Sequence, residues 1–295
     1  MPAHFAAVLH APTLDARAAS AAARALEGLG AVVGRFTAPA AARDETRYAV
    51  LAAEVTLDGG QATAARNALA ALGFSASLVP VEVRSTGRRL LIMDVDSTLI
   101  QQEVIELLAD YAGKREEVTA VTEAAMRGEL DFAQSLHARV ATLAGLPEDV
   151  IAKVRDAVVL SLGAEDLIEA FHAAGHVVCV VSGGFNQILT PLAERLGLDH
   201  WRANELEVVD GTLTGKVLGD VVDRGVKEQM LREWAGKHGI PLEQCIAVGD
   251  GANDLDMLGA AGLGIAFNAK PAVRAAADAA IDLPYLDVVR HLAGV

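Results

Sequence analysis

Four short apolar runs, LLIM, HVVCVV, CIAV and GLGIAF, recur through the second part of the chain, separated by segments of useful helical or loop length. Runs that are apolar at every position indicate strands buried on both faces, and their alternation with helices indicates a parallel sheet. Three of the four runs end in polar or glycine-rich clusters, and ligands of such sheets gather beyond the carboxyl ends of the strands. The sequence therefore predicts a Rossmann-like, doubly wound α/β domain with its chemistry in these loops.

The segment 103–160 lies between the first two apolar runs and is mostly helical by pattern, with Val104, Leu108 and Tyr111 at helical spacing. It is longer than one crossover helix requires. We therefore predict a helical cap inserted after the first core strand. Farther along, ELEVVDGTLTGKV contains two β-rich runs joined by an Asp-Gly pair, which predicts a hairpin.

A different pattern covers the N-terminal part of the chain. The strand-like runs FAAVLH, AVVGRF, YAVLAAEV and SASLVPVEV are interleaved with helical stretches at 14–29 and 61–72. Their order, strand, helix, strand, strand, helix, strand, predicts a small α+β (βαββαβ) domain. The polar, glycine-containing segment RSTGRR at 84–89 has the composition of an exposed connection. We therefore divide the chain into domains at 1–85 and 86–295.

The chain of 295 residues is 52% hydrophobic and 22% charged, which is typical of a globular protein of about two domains. Its net charge of −14 leaves no overall basic surface, which argues against a nucleic-acid partner. No stretch reaches the roughly 18 uninterrupted apolar residues of a membrane span, and the first residues lack a signal-peptide pattern. Cys179 and Cys245 lie in apolar runs, where buried, reduced thiols are expected. These features favour a cytoplasmic protein without a membrane partner.

Two carboxylates separated by one residue follow the first core strand, in the sequence LLIMDVDSTL. At the end of a strand, Asp94 and Asp96 can both project toward one pocket. One carboxylate could then attack phosphorus, while the other, if protonated, could donate a proton to the leaving group and later deprotonate water. A loop of solvated acids, or an N-cap for the next helix, is the alternative interpretation.

A second acidic cluster, GDGANDLDM, follows the apolar run CIAV. Asp250 ends that run, and Asn253 and Asp254 follow on a glycine-rich turn. Mg²⁺ prefers oxygen ligands and is typically held by one or two carboxylates together with a phosphate oxygen, which Asp94, Asp250 and a substrate could supply. An ordinary Asp-Gly turn would explain the same residues.

Two further features suit a phosphate group. In VVSGGFN, Ser182 can donate a hydroxyl hydrogen bond, and Gly183 and Gly184 let backbone amides approach a phosphate oxygen closely. Lys227, in RGVKEQML, can neutralise the nucleophile and the transferring phosphoryl group. A plain glycine turn and a solvated surface lysine are the alternatives.

In this order, DVDST, SGG, Lys227 and GDGAND resemble the four motifs of the haloacid dehalogenase (HAD) superfamily. Within it, DVDSTLIQQEVIELLADYAG, GELDFAQSLHARVATLAGLP, VVSGGF, DGTLTGKV and AVGDGANDLDML are similar to phosphoserine phosphatases and span most of residues 90–285. The resemblance implies Asp94 as the nucleophile and Asp96 as the acid/base. It also implies Mg²⁺ held by Asp94, Asp250 and the backbone carbonyl of Asp96.

The same resemblance implies roles for other residues. Ser182, Gly183 and Lys227 would hold phosphate, Asn253 would position phosphate or water, and Asp254 would orient Lys227 or the metal site. In the cap, the residues expected to contact the substrate are Glu103 for the ammonium group, Arg139 for the carboxylate, and Met126 and Phe132 to close the pocket against water. Without the resemblance, Glu103 and Arg139 would be read as surface helix charges.

The activity that the resemblance implies is hydrolysis of O-phospho-L-serine to L-serine and phosphate through an aspartyl-phosphate, the last step of serine biosynthesis. The alternatives are a HAD phosphatase or phosphotransferase acting on another small phosphomonoester, and a non-catalytic amino-acid sensor. The first 85 residues resemble the ACT-type regulatory fold. An amino-acid effector, a purely structural role and a role in forming a homodimer all remain open for them.

Overall fold

The computed structural model describes residues 2–40, 46–84, 87–126 and 131–295, without the side chains of Glu123, Ala125 and Met126. Within these residues the chain forms two sheets, one of four strands and one of seven. The expected boundary between the two domains falls at residues 85 and 86, outside the described ranges.

The N-terminal domain is an antiparallel sheet in the order β2-β3-β1-β4, with two helices packed on one face. Its first helix begins after Asp15, whose carboxylate accepts hydrogen bonds from the backbone N–H groups of Arg17 and Ala18, both at 2.9 Å. The predicted βαββαβ order is confirmed, with elements β1 (Pro2–Ala11), α1 (Ala16–Glu27), β2 (Val32–Val33), β3 (Ala49–Asp58), α2 (Ala62–Ala70) and β4 (Ser75–Pro80).

The last predicted strand of this domain, SASLVPVEV, is shorter than expected. It ends at Pro80, which has no N–H to donate to a ladder, and Val81–Arg84 forms a 3₁₀ turn. The expectation of an exposed connection is also wrong for Arg89, which is 5% exposed. Arg84 donates to the carbonyls of His291 and Leu292, and Arg89 donates to that of Ala293. Both arginines are thus fixed by the last turn of the C-terminal helix.

The seven-stranded sheet has the order β11-β10-β9-β5-β6-β7-β8, and every neighbouring pair except β7–β8 is parallel. Along β5, Leu91 and Met93 join one apolar cluster, while Leu90 and Ile92 join the cluster on the opposite face. Burial on both faces explains the uninterrupted apolar runs. The strands are β5 (Leu90–Met93), β6 (Val177–Phe185), β7 (His200–Val209), β8 (Thr212–Leu218), β9 (Cys245–Gly249), β10 (Leu263–Phe267) and β11 (Ala279–Ile281).

Helices cover both faces of this sheet, which confirms the predicted doubly wound α/β fold. β6 and β7 lie on one side of β5, and β9, β10 and β11 lie on the other, so the winding reverses at β5. Such a reversal opens a crevice at the carboxyl ends of the strands. The helices are α7 (Ala164–Ala173), α8 (Asn186–Leu196), α9 (Arg224–His238), α10 (Leu255–Ala260), α11 (Pro271–Ala276) and α12 (Val288–Ala293).

A helical cap is inserted after β5, as predicted. The two segments that connect the cap to the core are joined by an isolated antiparallel bridge between Ile100 and Leu160. The side-chain amides of Gln101 and Gln102 reinforce this stem, because Gln101 donates to the carbonyl of Leu160 and Gln102 accepts from the N–H of Val159. The cap helices are α3 (Val104–Ala112), α4 (Arg115–Met126), α5 (Phe132–Ala141) and α6 (Asp149–Ala157).

The predicted hairpin joins β7 to β8 and supports the cap from the side. Its turn residues, Asp210 and Gly211, have φ values of 51° and 73°, as a primed hairpin turn requires. Just after α5, Gly145 donates its N–H to the carbonyl of Leu213, and Leu213 donates back to Leu146. Among the described residues, the helices include none long and apolar enough to cross a bilayer.

Candidate active site

Asp94 lies directly beyond β5, at the point where the sheet reverses. Its backbone N–H bonds to the carbonyl of Val248 at 2.9 Å, which fixes the end of β5 against β9. Its carboxylate is buried, and Oδ1 accepts hydrogen bonds from the backbone N–H of Val95 and from Nζ of Lys227, both at 2.7 Å. Three residues on, Ser97 has φ of 57°, so the chain turns sharply and leads into the cap.

Lys227 is fully buried in the first turn of α9, which Asp223 caps by accepting a hydrogen bond from the N–H of Val226. Its ammonium group bridges Oδ1 of Asp94 and Oδ1 of Asp254, each at 2.7 Å. Burial alone would lower the pKa of Lys227, but the two carboxylates outweigh it and raise the pKa above its ordinary value. The alternative of a solvated surface lysine is therefore wrong.

Asp250 follows β9, the strand next to β5. Oδ1 of Asp250 accepts a hydrogen bond from the hydroxyl group of Thr98 at 3.0 Å. Thr98 is itself fixed, because its backbone carbonyl accepts from the hydroxyl of Ser161 at 2.6 Å. Thr98 belongs to the DVDST motif, but the sequence predicted no role for it. Its contact with Asp250, which lies beyond a different strand, could not be predicted from sequence spacing.

Three acidic side chains meet in this crevice: Asp94, Asp250 and Asp254 each place a carboxylate oxygen within 4.8 Å of the other two. Burial and then repulsion from Asp254 raise the pKa of Asp94 well above its ordinary value, against the attraction of Lys227. Burial and Asp254 also raise the pKa of Asp250, to about 6. Acidic groups therefore outnumber Lys227 here, and a bound cation would relieve their repulsion.

The oxygen atoms of Asp254 are already engaged. Oδ1 accepts from Lys227, and Oδ2 accepts from the backbone N–H of Gly251 at 2.9 Å. Asp250 and Asp94 are the two carboxylates that remain best placed for a cation. Oxygen donors of this kind suit a hard divalent ion such as Mg²⁺.

Asp96 points toward the other side of Asp94. A Cβ atom placed on Gly184 would lie 3.1 Å from Oδ2 of Asp96, so the carboxyl group lies against the last residues of β6. Burial, and secondarily the charge of Glu103, raises the pKa of Asp96 to about 8. Its Oδ1 is buried and has no hydrogen-bond partner within the described ranges. A carboxyl group that holds its proton near neutral pH can act as a general acid.

Ser182, Gly183 and Gly184 form a bulge near the end of β6. Val181 pairs with Arg202 of β7, and the next recorded pair is Phe185 with Asn204. Three residues of β6 therefore lie opposite a single residue of β7, and the loop is pushed out of the sheet. Oγ of Ser182 accepts the N–H of Gly184 at 2.7 Å, which folds the loop back on itself.

The cap brings two of its charged residues to this crevice. Glu103 accepts a hydrogen bond from the hydroxyl of Ser97 at 2.7 Å, so the turn after Asp94 holds it in place. Burial lowers the pKa of Arg139, while the charges of Glu103 and Asp96 raise it, which places the guanidinium group within range of both. Arg139 also donates from Nε to the carbonyl of Ser135.

The other two cap predictions have different outcomes. The ring of Phe132, at the start of α5, lies 3.1 Å from the position that a Cβ atom on Gly183 would occupy, so it packs on the bulge of β6. The side chain of Met126 lies outside the described residues. Oδ1 of Asn253 folds back against Gly251, the residue that follows Asp250.

Comparison with known proteins agrees with this geometry. The family model described as haloacid dehalogenase-like hydrolase matches residues 91–259, more than half of the chain. The chain belongs to the haloacid dehalogenase-like hydrolase family. As a member of this HAD family it is an enzyme, and the matched residues run from β5 through the acidic turn after β9.

Two curated relatives in this HAD family are phosphoserine phosphatases. The protein from Streptomyces coelicolor is 52% identical over 277 residues, covering 91% of this chain and 68% of the relative. Phosphoserine phosphatase SerB2 of Mycobacterium tuberculosis is 59% identical over 208 residues, covering 70% of this chain and 51% of the relative. The chain thus spans about two thirds of the first relative and about half of the second.

A solved structure of a phospho-aspartyl intermediate analogue of phosphoserine phosphatase is also similar. It has a TM-score of 0.66 and 43% sequence identity, and the match covers 69% of this chain and 98% of the solved one. At this identity the likeness extends beyond the fold to the sequence of the HAD core.

Proposed function

We propose that the protein hydrolyses O-phospho-L-serine to L-serine and phosphate through a phosphorylated Asp94, the last step of serine biosynthesis. The observation that carries the proposal is the pair of neighbouring carboxyl groups with different environments. Oδ1 of Asp94 contacts the buried ammonium group of Lys227 at 2.7 Å, whereas Oδ1 of Asp96 is buried without a hydrogen-bond partner among the described residues, and burial with the charge of Glu103 raises the pKa of Asp96 to about 8. Two acids whose environments separate their roles are a recurrent arrangement for acid/base and nucleophilic work.

In the first half-reaction, a carboxylate oxygen of Asp94 attacks phosphorus, and the bond from phosphorus to the serine oxygen breaks. Asp96 donates its proton to the departing serine oxygen. In the second half-reaction, Asp96 takes a proton from water, the water oxygen attacks phosphorus, and the bond from phosphorus to Asp94 breaks. Oδ1 of Asp94 is the atom in contact with Lys227 and Val95, so Oδ2 is the atom that we assign to the attack.

The phosphate group would be held between the bulge of β6 and the buried lysine. Ser182, Gly183 and Gly184 would lie on one side, with the N–H of Gly184 donated to Oγ of Ser182, and Lys227 would lie on the other. Asn253 would position phosphate or the attacking water, and Asp254 keeps Lys227 aligned through its 2.7 Å contact. We assign Mg²⁺ to Asp94, Asp250 and the backbone carbonyl of Asp96, where it would supply positive charge beside the transferring phosphoryl group.

The serine part of the substrate would face the cap. Glu103 supplies a carboxylate for the ammonium group, and Arg139 supplies a planar guanidinium for the carboxylate. In the free protein the negative charge of Glu103 raises the pKa of Arg139 against the effect of burial, so the two groups carry opposite charges that a zwitterionic substrate could use. Phe132, and Met126 as predicted from the resemblance, would close the pocket over the phosphoryl group.

A substrate panel tests this proposal directly. Purified protein with Mg²⁺ should release phosphate from O-phospho-L-serine faster than from O-phospho-L-threonine, a phosphorylated alcohol or an aryl phosphate. Chelation with EDTA should abolish release, and added Mg²⁺ should restore it. A higher kcat/KM for another phosphomonoester would replace phosphoserine as the substrate, and transfer of phosphate to an alcohol acceptor rather than water would identify a phosphotransferase.

Arg139→Ala sharpens the test of substrate choice. It should lower kcat/KM for phosphoserine about 10- to 100-fold, because a charge-assisted pair to the substrate carboxylate is lost, and should change hydrolysis of an aryl phosphate less than threefold. The matched control is Arg155→Ala, which removes an exposed arginine from α6 of the same cap. An equal loss on both substrates would rule out recognition of the carboxylate by Arg139.

For the N-terminal domain we propose an ACT-like regulatory role, in which an amino acid binds in a cavity of about 630 Å³ between the two domains. By hydrogen-bond geometry, neither ring nitrogen of the buried His10 has a partner among the described residues, although the backbone of Ala280 is close enough to raise its pKa slightly, and Nε of Arg66 has no described partner either. The cavity lining also carries Arg274, Asp278 and Asp282. Groups of both signs around one cavity suit the carboxylate and the ammonium of a zwitterion.

Thermal unfolding of the full-length Arg139→Ala variant with each of the twenty amino acids would test this role, because that variant is weakened at the catalytic site. An effector should raise the unfolding temperature, and Arg274→Ala introduced in addition should remove the increase. No increase with any amino acid would leave the domain with a structural or dimer-forming role. Light scattering would decide whether the protein is the homodimer that this last role predicts.

The cytoplasmic location is also part of the proposal. Cys179 and Cys245 are both free and buried, as a reducing compartment would maintain them.

A further inference from the structure

The bulge at the end of β6 leaves backbone groups without the ladder partners that a regular parallel pair would give them. Two asparagine side chains replace those partners. Asn186, at the start of α8, donates to the carbonyl of Ala203 at 3.1 Å and accepts from its N–H at 3.0 Å. The second is Asn204 of β7, which the sequence analysis did not single out and which is 1% exposed.

Asn204 joins two parts of the crevice that are distant in sequence. Its Nδ2 donates to the carbonyl of Gly183 at 2.8 Å, and its Oδ1 accepts from the N–H of Val222 at 2.8 Å. Val222 immediately precedes Asp223, the residue that caps α9 four positions before Lys227. One amide group therefore connects the bulge of β6 to the helix that carries the buried lysine.

Two hydrogen bonds, one at its carbonyl oxygen and one at its N–H, fix the peptide unit between Gly183 and Gly184. Its carbonyl oxygen points to Asn204, and its N–H is donated to Oγ of Ser182. Without a side chain on either residue, this peptide would otherwise rotate easily. A rotated peptide would turn the carbonyl oxygen toward the crevice, where it would repel a phosphate oxygen.

The same peptide sets the direction of the Ser182 hydroxyl group. A serine oxygen that accepts a hydrogen bond still carries its own proton for donation. Because Oγ of Ser182 accepts from Gly184, its hydroxyl proton must point elsewhere. Oγ of Ser182 and Oδ2 of Asp96 lie 2.9 Å and 3.1 Å from the same Cβ position on Gly184, so we assign this proton to the side of the loop that faces Asp96. The Ser182 hydroxyl is thereby kept as a donor toward an incoming phosphate.

We propose that Asn204 is a positioning residue for phosphate binding: it holds the Gly183–Gly184 peptide, and through it the Ser182 hydroxyl, in register with Lys227. This inference rests on the proposed phosphatase function, and it extends that function to a residue that contacts neither the phosphate nor the reacting carboxylates. Its residue type gives a hint in the sequence, since asparagine is uncommon in strands.

The test compares Asn204→Ala and Asn204→Leu with the unaltered protein, using an aryl phosphate as substrate and inorganic phosphate as inhibitor in the presence of Mg²⁺. We expect the inhibition constant for phosphate to rise at least about tenfold, and kcat/KM to fall by a similar or larger factor. An aryl phosphate and inorganic phosphate lack the serine group, so the result does not depend on substrate choice. Absence of phosphatase activity in the unaltered protein would instead count against the proposed function.

Asn186→Ala is the matched control, because it removes an equally well bonded amide from the other side of the same bulge. It should lower the unfolding temperature without changing the inhibition constant for phosphate by more than about twofold. Equal effects of the two asparagines on phosphate binding, or none from Asn204, would overturn the proposal.

A measurement on the unaltered protein covers the case in which the Asn204 variants do not fold. The side-chain NH₂ signal of Asn204 in a ¹⁵N-labelled sample should shift when inorganic phosphate and Mg²⁺ are added, whereas that of Asn186 should not. An unmoved Asn204 signal at saturating phosphate would contradict coupling between this amide and the phosphate site.

Discussion

Among the residues that the structure describes, charged side chains are buried both in the catalytic crevice and at the contact between the two domains, and their partners differ between the two places. In the crevice, Asp94, Asp250 and Asp254 surround Lys227 and outnumber it. At the domain contact, the fully buried Asp287 is bonded to the guanidinium of Arg47 at 2.6 Å and to the hydroxyl of Tyr48 at 2.7 Å.

The difference separates a site built for a ligand from one built for stability. Crowded carboxylates without enough cations have raised pKa values, as those of the buried Asp94 and the half-buried Asp250 are, and a metal ion or a protein cation is needed to keep them ionised. A buried carboxylate with its own arginine and hydroxyl needs no ligand. We therefore expect substitutions in the crevice to change activity more than stability, and substitutions at the domain contact to do the reverse.

Asp94→Asn should produce the largest effect. An amide cannot act as the nucleophile, so kcat should fall at least about a thousandfold on every phosphomonoester. Since one of several mutually repelling acids is removed while Lys227 keeps its contact with Asp254, the free energy of unfolding should fall by no more than about 1 kcal/mol. Phosphate release and urea unfolding of the same preparation measure both quantities.

Asp110→Asn, which removes an acid paired with Arg115 on the cap surface, is the control for a general effect of lost charge. It should leave kcat within about twofold. Turnover by the Asp94 variant near that of the unaltered protein would reject the assignment of the nucleophile.

Asp287→Asn should reverse the pattern. The charged hydrogen bonds from Arg47 and Tyr48 weaken, so the free energy of unfolding should fall by about 2 kcal/mol, while kcat/KM for an aryl phosphate changes less than twofold. Asp166→Asn is a matched control, because Asp166 contacts the same Arg47 at 3.3 Å but its side chain is 53% exposed. It should cost no more than about 0.5 kcal/mol. Similar losses for the two variants would mean that burial of Asp287 adds nothing.

The contrast between the two regions also separates what sequence could predict from what it could not. The strand runs and the ordered motifs indicated the sheet, the cap and the acids at the strand ends, because each of these depends on local pattern. β11, at three residues, was too short to recognise, and β7 extends upstream of its β-rich run to His200. The start of β7 depends on parallel pairing with β6, and such pairing produces no pattern in the neighbouring sequence.

Contacts between residues that are far apart in the sequence could not be predicted. The hydroxyl of Thr98, in the turn that follows β5, reaches Asp250 beyond β9, and Asn204 links Gly183 to Val222. Arg89 was read as part of an exposed connection, yet it is buried by a helix that ends more than 200 residues later. In each case the residue type shows that the side chain can donate a hydrogen bond, but only the fold decides which group accepts it.

A substitution of His10 tests whether every polar group at the domain contact has a partner, as Asp287 does. It should give the smallest effect of these predictions. His10 is buried beside the cavity between the domains, and burial lowers its pKa from 6.5 to about 4, with Asp282 opposing the shift. As pH falls below 6.5 the unfolded chain takes up a proton that the folded protein does not, so stability should decrease with falling pH in the range 6.5 to 4. Between pH 7.5 and 5.5 this contribution is about 1 kcal/mol.

His10→Phe keeps a ring without the titration, and urea unfolding should show a shallower loss of stability over this interval than in the unaltered protein. Parallel curves for the two proteins would mean that His10 accepts its proton equally well in the folded state, and the domain contact would then hold no unmatched group at this position.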